Sequence, residues 1–498
     1  MHKLSDFKFL NAYNRLKVIF SMLFPSIILL SNCTKDKVAL DYTGTGYPQD
    51  VGKIVMTKCA TSGCHNEQSK EAAGGLSLVS WDKLFEGSNG GSVVIPYRPD
   101  FSTFIFYTNS YNQFGTIQLV PKMPYNEDPL SKEEIDCLYH WIKNGAPNAQ
   151  GQIKFADNPD RKKFYVSNQG CDEVTVFDAA TMLAMRLQNV GKIPGYVEAP
   201  HFIKISPDNR YWYVSFLGAQ VFQKYSTSDN AFIGEANIGF GSWNTFALSS
   251  DGKYAYLADW SSNGKVKQVK TDSMIVKNTI GGLQWPHGTA LNATDDTVYV
   301  TSQFGNYIFK MPTDFSNVYQ IVLDGTTIPN NTPSLDPHEI FMNPGLPAYY
   351  ISCQKSNEIK VVNKITNQVT ATIPVGDYPQ EMALSPSKKY LFVSCMEDVT
   401  TFGSSKRGSV YVIDCVTNTV IKSVYTGHQP HGLMVDEANK RVYVTNRNVI
   451  SGGPAPHHAA ACNGKNGYVT AIDLNTLDLV PKFKTEVSVD PYGYSITH

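Results

Sequence analysis

The feature that most restricts the fold is one short strand that the sequence repeats seven times. It reads Phe164-Tyr165-Val166-Ser167-Asn168 at its first occurrence. It returns at Tyr211–Ser215, Tyr254–Ala258, Val298–Ser302, Tyr349–Cys353, Leu391–Cys395 and Val442–Asn446. Turns such as Ser206-Pro207-Asp208-Asn209, Ser249-Ser250-Asp251-Gly252 and Ser385-Pro386-Ser387-Lys388 precede most copies, and an alternating strand such as Val174–Asp178 or Val410–Asp414 follows each. A fourth strand ends in glycine, as at Gly191, Gly239, Gly282, Gly325, Gly376 and Gly427. Four short strands per unit with period-two alternation predict an all-β propeller.

The first strand of each unit sets the number of blades. His201, Asn244, His287, His338, Gln380, His431 and Tyr492 stand at equivalent positions, six of them directly after proline, with separations of 43, 43, 51, 42, 51 and 61 residues. The chain enters the propeller in the second strand of a blade, at Lys162–Asn168, and leaves on a lone first strand, Pro491–His498. Those two ends are expected to form one blade, closing residues 152–498 into a ring of seven without free edges. Composition agrees: charged residues are 17%, with 28 Tyr and 37 Gly, a balance that suits strands and turns better than helices. A net charge of −1 with no basic block speaks against a nucleic-acid partner.

These repeats resemble the YVTN family of seven-bladed propellers, which includes the N-terminal propeller of nitrous oxide reductase, lactonase-like propellers and the haem-binding propeller of a nitrite reductase. The motif is specific for fold and weak for function. In such a ring, His201, His287, His338 and His431 are expected around one mouth of the central channel. Cys171, Cys353, Cys395, His428 and the loop Val449–Gly467, with His457, His458 and Cys462, belong to the same face. Convergent imidazoles could hold copper, zinc or iron. The resemblance to nitrous oxide reductase implies copper, although the chain has no cupredoxin-like domain and Asn244, Gln380 and Tyr492 interrupt the histidines. Two other readings stand beside the metal: Pro-His as a repeat consensus whose ring nitrogens bond neighbouring blades, and a polar substrate pocket. Cys353 and Cys395 are either a disulfide or buried thiols.

Ahead of the propeller stands Lys58-Cys59-Ala60-Thr61-Ser62-Gly63-Cys64-His65-Asn66. Two cysteines followed at once by histidine meet the requirement of c-type haem attachment, in which thiols add to the vinyl groups and the imidazole becomes an iron ligand. The cysteines are four residues apart instead of the usual two, and a Cys59–Cys64 disulfide is the alternative. Val51, Ile54 and Val55 give one apolar helical face running into Cys59. Met123, between Pro121 and Pro124, is placed as the sixth iron ligand. Ser131 and Glu134 form a capping-box pattern that opens a helix carrying Ile135, Leu138 and Ile142 and ending before Gly145. His140 on that helix is expected to face away from the iron, and Cys137 to be a free buried thiol. Residues 50–151 resemble class I cytochromes c in a C-x4-C-H variant, including the Trp-Ile-x-x-Gly ending. That resemblance implies a small all-α domain with one covalent haem c, held by Cys59, Cys64, His65 and Met123.

Residues 1–33 read as an export signal. Lys3, Lys8, Arg15 and Lys17 precede an apolar run from Val18 to Leu30, shorter than the ~20 residues a spanning helix needs. Its ending, Leu29-Leu30-Ser31-Asn32-Cys33, resembles a bacterial lipoprotein box with Cys33 as the lipidated residue, an ordinary signal with an incidental cysteine being the alternative. Residues 34–49 are polar and read as a tether. The sequence therefore points to a multidomain protein anchored by lipid in the bacterial cell envelope, on a periplasmic or outer-membrane face. A c-type haem domain would exchange electrons with a redox protein or a small-molecule donor or acceptor. The propeller is either the seat of a second redox centre, which would make the chain an oxidoreductase, or a non-catalytic binding module.

Overall fold

The computed structural model describes residues 40–332, 334–450, 453 and 465–497. Cys33 with the signal segment, His457, His458, Cys462 and His498 lie outside them. Each repeated strand is the second of its blade, from Lys163–Asn168 through Arg441–Asn446, and is buried along nearly its whole length. Hydrophobic residues with β-branched or aromatic side chains fill both faces of these strands because each blade packs between two others. Seven four-stranded antiparallel sheets result. The first blade joins Pro491–Ile496 to Lys163–Asn168, with Phe164 opposite Ile496, so the two ends of the propeller close the ring as the repeat phase requires.

The innermost strands begin at Pro200, Trp243, Pro286, Pro337, Pro379, Pro430 and Pro491. In all seven the register slips within the first residues. Such a bulge leaves ladder groups unpaired, and the small hydroxyl of the repeated strand takes them up. Ser394 accepts from the Glu381 amide at 3.2 Å and donates to the His431 carbonyl of the next blade at 2.6 Å. Ser167, Ser215, Thr301 and Ser352 donate across the following boundaries in the same way, at 2.7–3.1 Å. Where the repeat has Ala258, Thr245 supplies the donor to His287 instead. The Ser or Thr of the repeat is therefore a staple between blades.

Residues 42–157 carry four short helices among the described residues: α1 (Gln49–Lys58), α2 (Trp81–Leu84), α3 (Thr103–Thr108) and α4 (Lys132–Lys143). The capping box at Ser131 and Glu134 is present, and α1 packs on α4, with Tyr47 edge-on to Trp141 at 6.1 Å. Two expectations need correction. Most of this segment is turn and loop, and it is not a distinct all-α domain: Tyr42–His498 form one compact unit. Its core runs from Tyr47, Val55 and Ile135 into Tyr165, Val176 and Trp212 of the propeller, because the helices are too short to bury their apolar faces on one another alone. The tether is also shorter than expected, for Thr43–Thr45 form a single turn of 3-10 helix and Tyr47 is fully buried.

The helical segment docks on the rim of the ring. Ser92 donates to the Ala184 carbonyl at 2.9 Å, and the Glu486 amide donates to Gly90 O at 3.0 Å. Gly91 has φ +90°, and a Cβ there would lie 2.6 Å from the Thr485 methyl, so this approach needs glycine. Arg98 reaches Glu173 at 2.7 Å and Asn189 at 2.8 Å. Segment 86–100 is thus tied to the outer strands of the first and last blades, on the perimeter and away from the axis.

Candidate functional site

The loop after α1 is shaped by its own hydrogen bonds. The His65 amide donates to Cys59 O at 3.1 Å, the Leu78 amide to His65 O at 2.9 Å, and Asn66 Nδ2 to Thr61 O at 2.7 Å. Cys59 and Cys64 are both free thiols, so the disulfide alternative is not realised. Cys59 is buried in the helical core and burial pushes its thiol up to about 12; Cys64 is half-buried.

His65 is oriented by an interaction that no side-chain pattern could announce. Its Nδ1 lies 3.4 Å from the carbonyl of Leu76, and burial lowers its pKa. A neutral imidazole whose Nδ1 faces a backbone carbonyl keeps Nε2 as a lone-pair donor, the tautomer that suits a metal ligand. Met123 is half-buried on the loop before α4, with its amide donating to Tyr107 O at 2.9 Å. The loop that carries it runs along α3, since the Leu119 amide donates to Phe106 O at 2.9 Å. His140 is exposed and bonds only within its own helix, to Asp136 O at 3.0 Å. Cys137 is free and half-buried, less enclosed than expected. The donor set of two thiols, one oriented imidazole and one thioether fits a c-type haem in chemistry.

The second candidate is the axial ring. The structure brings His201, His287, His338 and His431 together, each at most 4% exposed. Their rings are tilted against one another or against Tyr492: His287 and His338 have centroids 4.0 Å apart at 42°, Tyr492 lies between His431 at 3.5 Å and His201 at 4.1 Å, and His338 meets His431 edge-on at 6.3 Å. Arg447 lies 4.9 Å from the Tyr492 centroid while paired with Asp490 at 2.6 Å. Burial depresses all four imidazoles, His287 to about 3, so they are neutral at physiological pH. Among the described residues no group of three or more His, Cys, Asp or Glu is disposed to hold a metal ion. Cys353 and Cys395 are buried free thiols, and Cys171 is buried as well.

Three charged residues inside the channel escaped the sequence reading. Lys204, Glu339 and Glu381 all lie on innermost strands, in Pro200–Ile205, Pro337–Met342 and Pro379–Leu384. Glu339 and Glu381 are buried. Their signal was visible as charges placed inside strands whose neighbours are apolar.

No family model matches the chain. A relative is Antigen Lp49 of Leptospira interrogans, 27% identical over 328 residues that cover 64% of this chain and 70% of the relative. Among solved structures, the periplasmic gluconolactonase PpgL of Pseudomonas aeruginosa superposes with a TM-score of 0.51 at 14% identity, over 68% of this chain and 99% of that one. A functionally unknown protein from Desulfotomaculum acetoxidans gives a TM-score of 0.52 at 12% identity, over 68% and 99%. At these identities the structural likeness establishes the propeller fold alone.

Proposed function

We propose that the chain is an electron-transfer haemoprotein of the bacterial cell envelope, with one c-type haem in residues 50–151. The observation that carries the reading is His65 set against the Leu76 carbonyl directly behind two unpaired thiols. Cys59 and Cys64 would attach the haem, His65 would ligate the iron through Nε2, and Met123 would be the sixth ligand. When bound, the haem supplies a one-electron couple that Met ligation raises. The protein's own part is to fix the imidazole and to exclude water through the core formed by Tyr47, Val55, Leu138 and Trp141. Export and a lipid anchor at Cys33 belong to the same proposal, as does exchange with a redox protein or small-molecule partner.

Tyr492, standing between His431 and His201, favours the propeller as a binding platform rather than a second redox centre at His201, His287, His338 and His431. A metal at that ring needs lone pairs aimed at one point, and the phenol ring occupies the space between two of the four imidazoles.

The test is a pyridine-haemochrome spectrum with metal analysis of the purified, exported protein. Covalent haem at one iron per chain, lost when Cys59 and Cys64 are both replaced by Ala, is the expected result. Protein that matures without covalent haem overturns the reading. Copper or a second iron that disappears with His287→Asn would overturn the assignment of the propeller as a platform only.

A further inference from the structure

The propeller's channel has a second end, opposite the histidines, and it holds a cavity of about 380 Å³. Its wall is built from the later residues of innermost strands in five blades, and its apolar part includes Phe202, Phe341, Met382, Leu433 and Met434. Two charged side chains line it, Lys204 and Lys388, and both are cations. Lys204 is half-buried, with its ammonium 5.0 Å from the Phe202 ring centroid and in no ion pair among the described residues.

Burial lowers the Lys204 ammonium, and the carboxyls of Glu339 and Glu381 act against that through space, without a hydrogen bond to it. Glu339 and Glu381 sit deeper in the channel; burial raises both, Glu381 to about 7, and Glu339 Oε2 has no hydrogen-bond partner. Tyr494, which also lines the cavity, donates to Glu381 at 3.2 Å. It has room to do so because Gly432 lies beneath its ring, where a Cβ would come within 2.3 Å of Tyr494 Cδ1. The cavity therefore presents, at the base of an apolar wall, an ammonium with no bonded counter-ion and no carboxylate among its lining residues. A half-buried cation without a bonded counter-ion gains from a partner that supplies the opposite charge.

We propose that this cavity binds a small organic monocarboxylate, its carboxylate on Lys204 and its apolar body against Phe202, Phe341 and Met434. The volume suits one small molecule, being near the lower end of ligand pockets at about 300–1,000 Å³. The proposal is independent of the haem, since the cavity lies on the propeller axis and the haem segment on its rim.

Isothermal titration of the full-length protein with hexanoate, benzoate and hexan-1-ol tests it. Saturable one-to-one binding of a carboxylate is expected, with hexan-1-ol weaker by about tenfold, the worth of one charge-assisted hydrogen bond. Lys204→Met is expected to bring the carboxylate down to the alcohol's affinity, and Lys204→Arg to restore part of it. The comparison of carboxylate with alcohol needs no variant, so a Lys204→Met protein that fails to fold does not remove the test. Absence of saturable binding for both acids, equal binding of acid and alcohol, or carboxylate affinity unchanged in folded Lys204→Met would each overturn the proposal.

Discussion

Ser394 hydrogen-bonds the carbonyl of His431 in the next blade at 2.6 Å while accepting the amide of Glu381 in its own at 3.2 Å. All three residues are buried. Ser394→Ala removes both partners at once and leaves a buried donor and acceptor unmatched, so a loss of about 1–3 kcal/mol is expected in urea unfolding. Ser394→Thr should cost far less, because Thr301 already does the same to His338 at 2.8 Å. Equal stability of Ser394→Ala and the parent would remove the staple from the account of blade cohesion.

Docking of the helical segment depends on Arg98. Its guanidinium reaches Glu173 at 2.7 Å, with side chains 14% and 8% exposed. Without it Glu173 is left buried and unpaired, which costs about 3–5 kcal/mol for a broken buried pair. Burial already holds Glu173 up at about 7 despite the arginine. In Arg98→Ala the carboxyl rises further, and its neutral form carries little penalty, so the damage should be smaller at pH 5 than at pH 8. Urea melts at the two pH values check this, and trypsin should cut the connection at residues 152–162 faster in the variant at pH 8. A deficit independent of pH would place the cost outside Glu173.

How much of this was legible in the sequence follows from what kind of group acts. The blades, their closure and the positions of His201 and Tyr492 were readable because a repeat imposes the same side-chain phase on every copy. The capping box at Ser131 was readable because it is local. The docking of residues 86–100 was not, since Gly91 against Thr485 and Arg98 on Glu173 join positions far apart in sequence. Leu76 could not be found at all, because its carbonyl does the work and any residue has one. The all-α expectation for 50–151 failed because helix caps mark where helices begin but not whether they pack on each other or on a neighbouring sheet.

Met123 lies on the loop joining α3 to α4, tied by its amide to Tyr107 O at 2.9 Å. If its thioether is the sixth ligand, Met123→Ala should retain covalent haem, because Cys59, Cys64 and His65 are untouched, yet lower the midpoint potential. Redox titration with parallel haemochrome quantitation separates the two effects. A potential unmoved by the substitution removes Met123 from the ligand set while leaving haem attachment standing.

The axial histidines make stability depend on pH in a direction that can be worked out. Burial holds His287 at about 3 in the folded protein against a free value near 6.5, and His201, His338 and His431 are depressed in the same sense. Between those limits the unfolded chain binds protons that the folded chain refuses, so stability is full above about pH 6.5 and is lost as pH falls. Each such histidine contributes a slope of up to about 1.4 kcal/mol per pH unit. Asn244 occupies the equivalent position in the third blade, which makes His287→Asn the natural substitution. Between pH 5 and 6, before most carboxylates titrate, His287→Asn should flatten the dependence of unfolding free energy on pH by about 1 kcal/mol per unit. Urea unfolding at pH 5.0, 5.5, 6.0 and 7.0 measures it. Parallel curves for parent and variant would show that His287 takes up its proton in the folded state, and that the ring is open to water rather than sealed by its own packing.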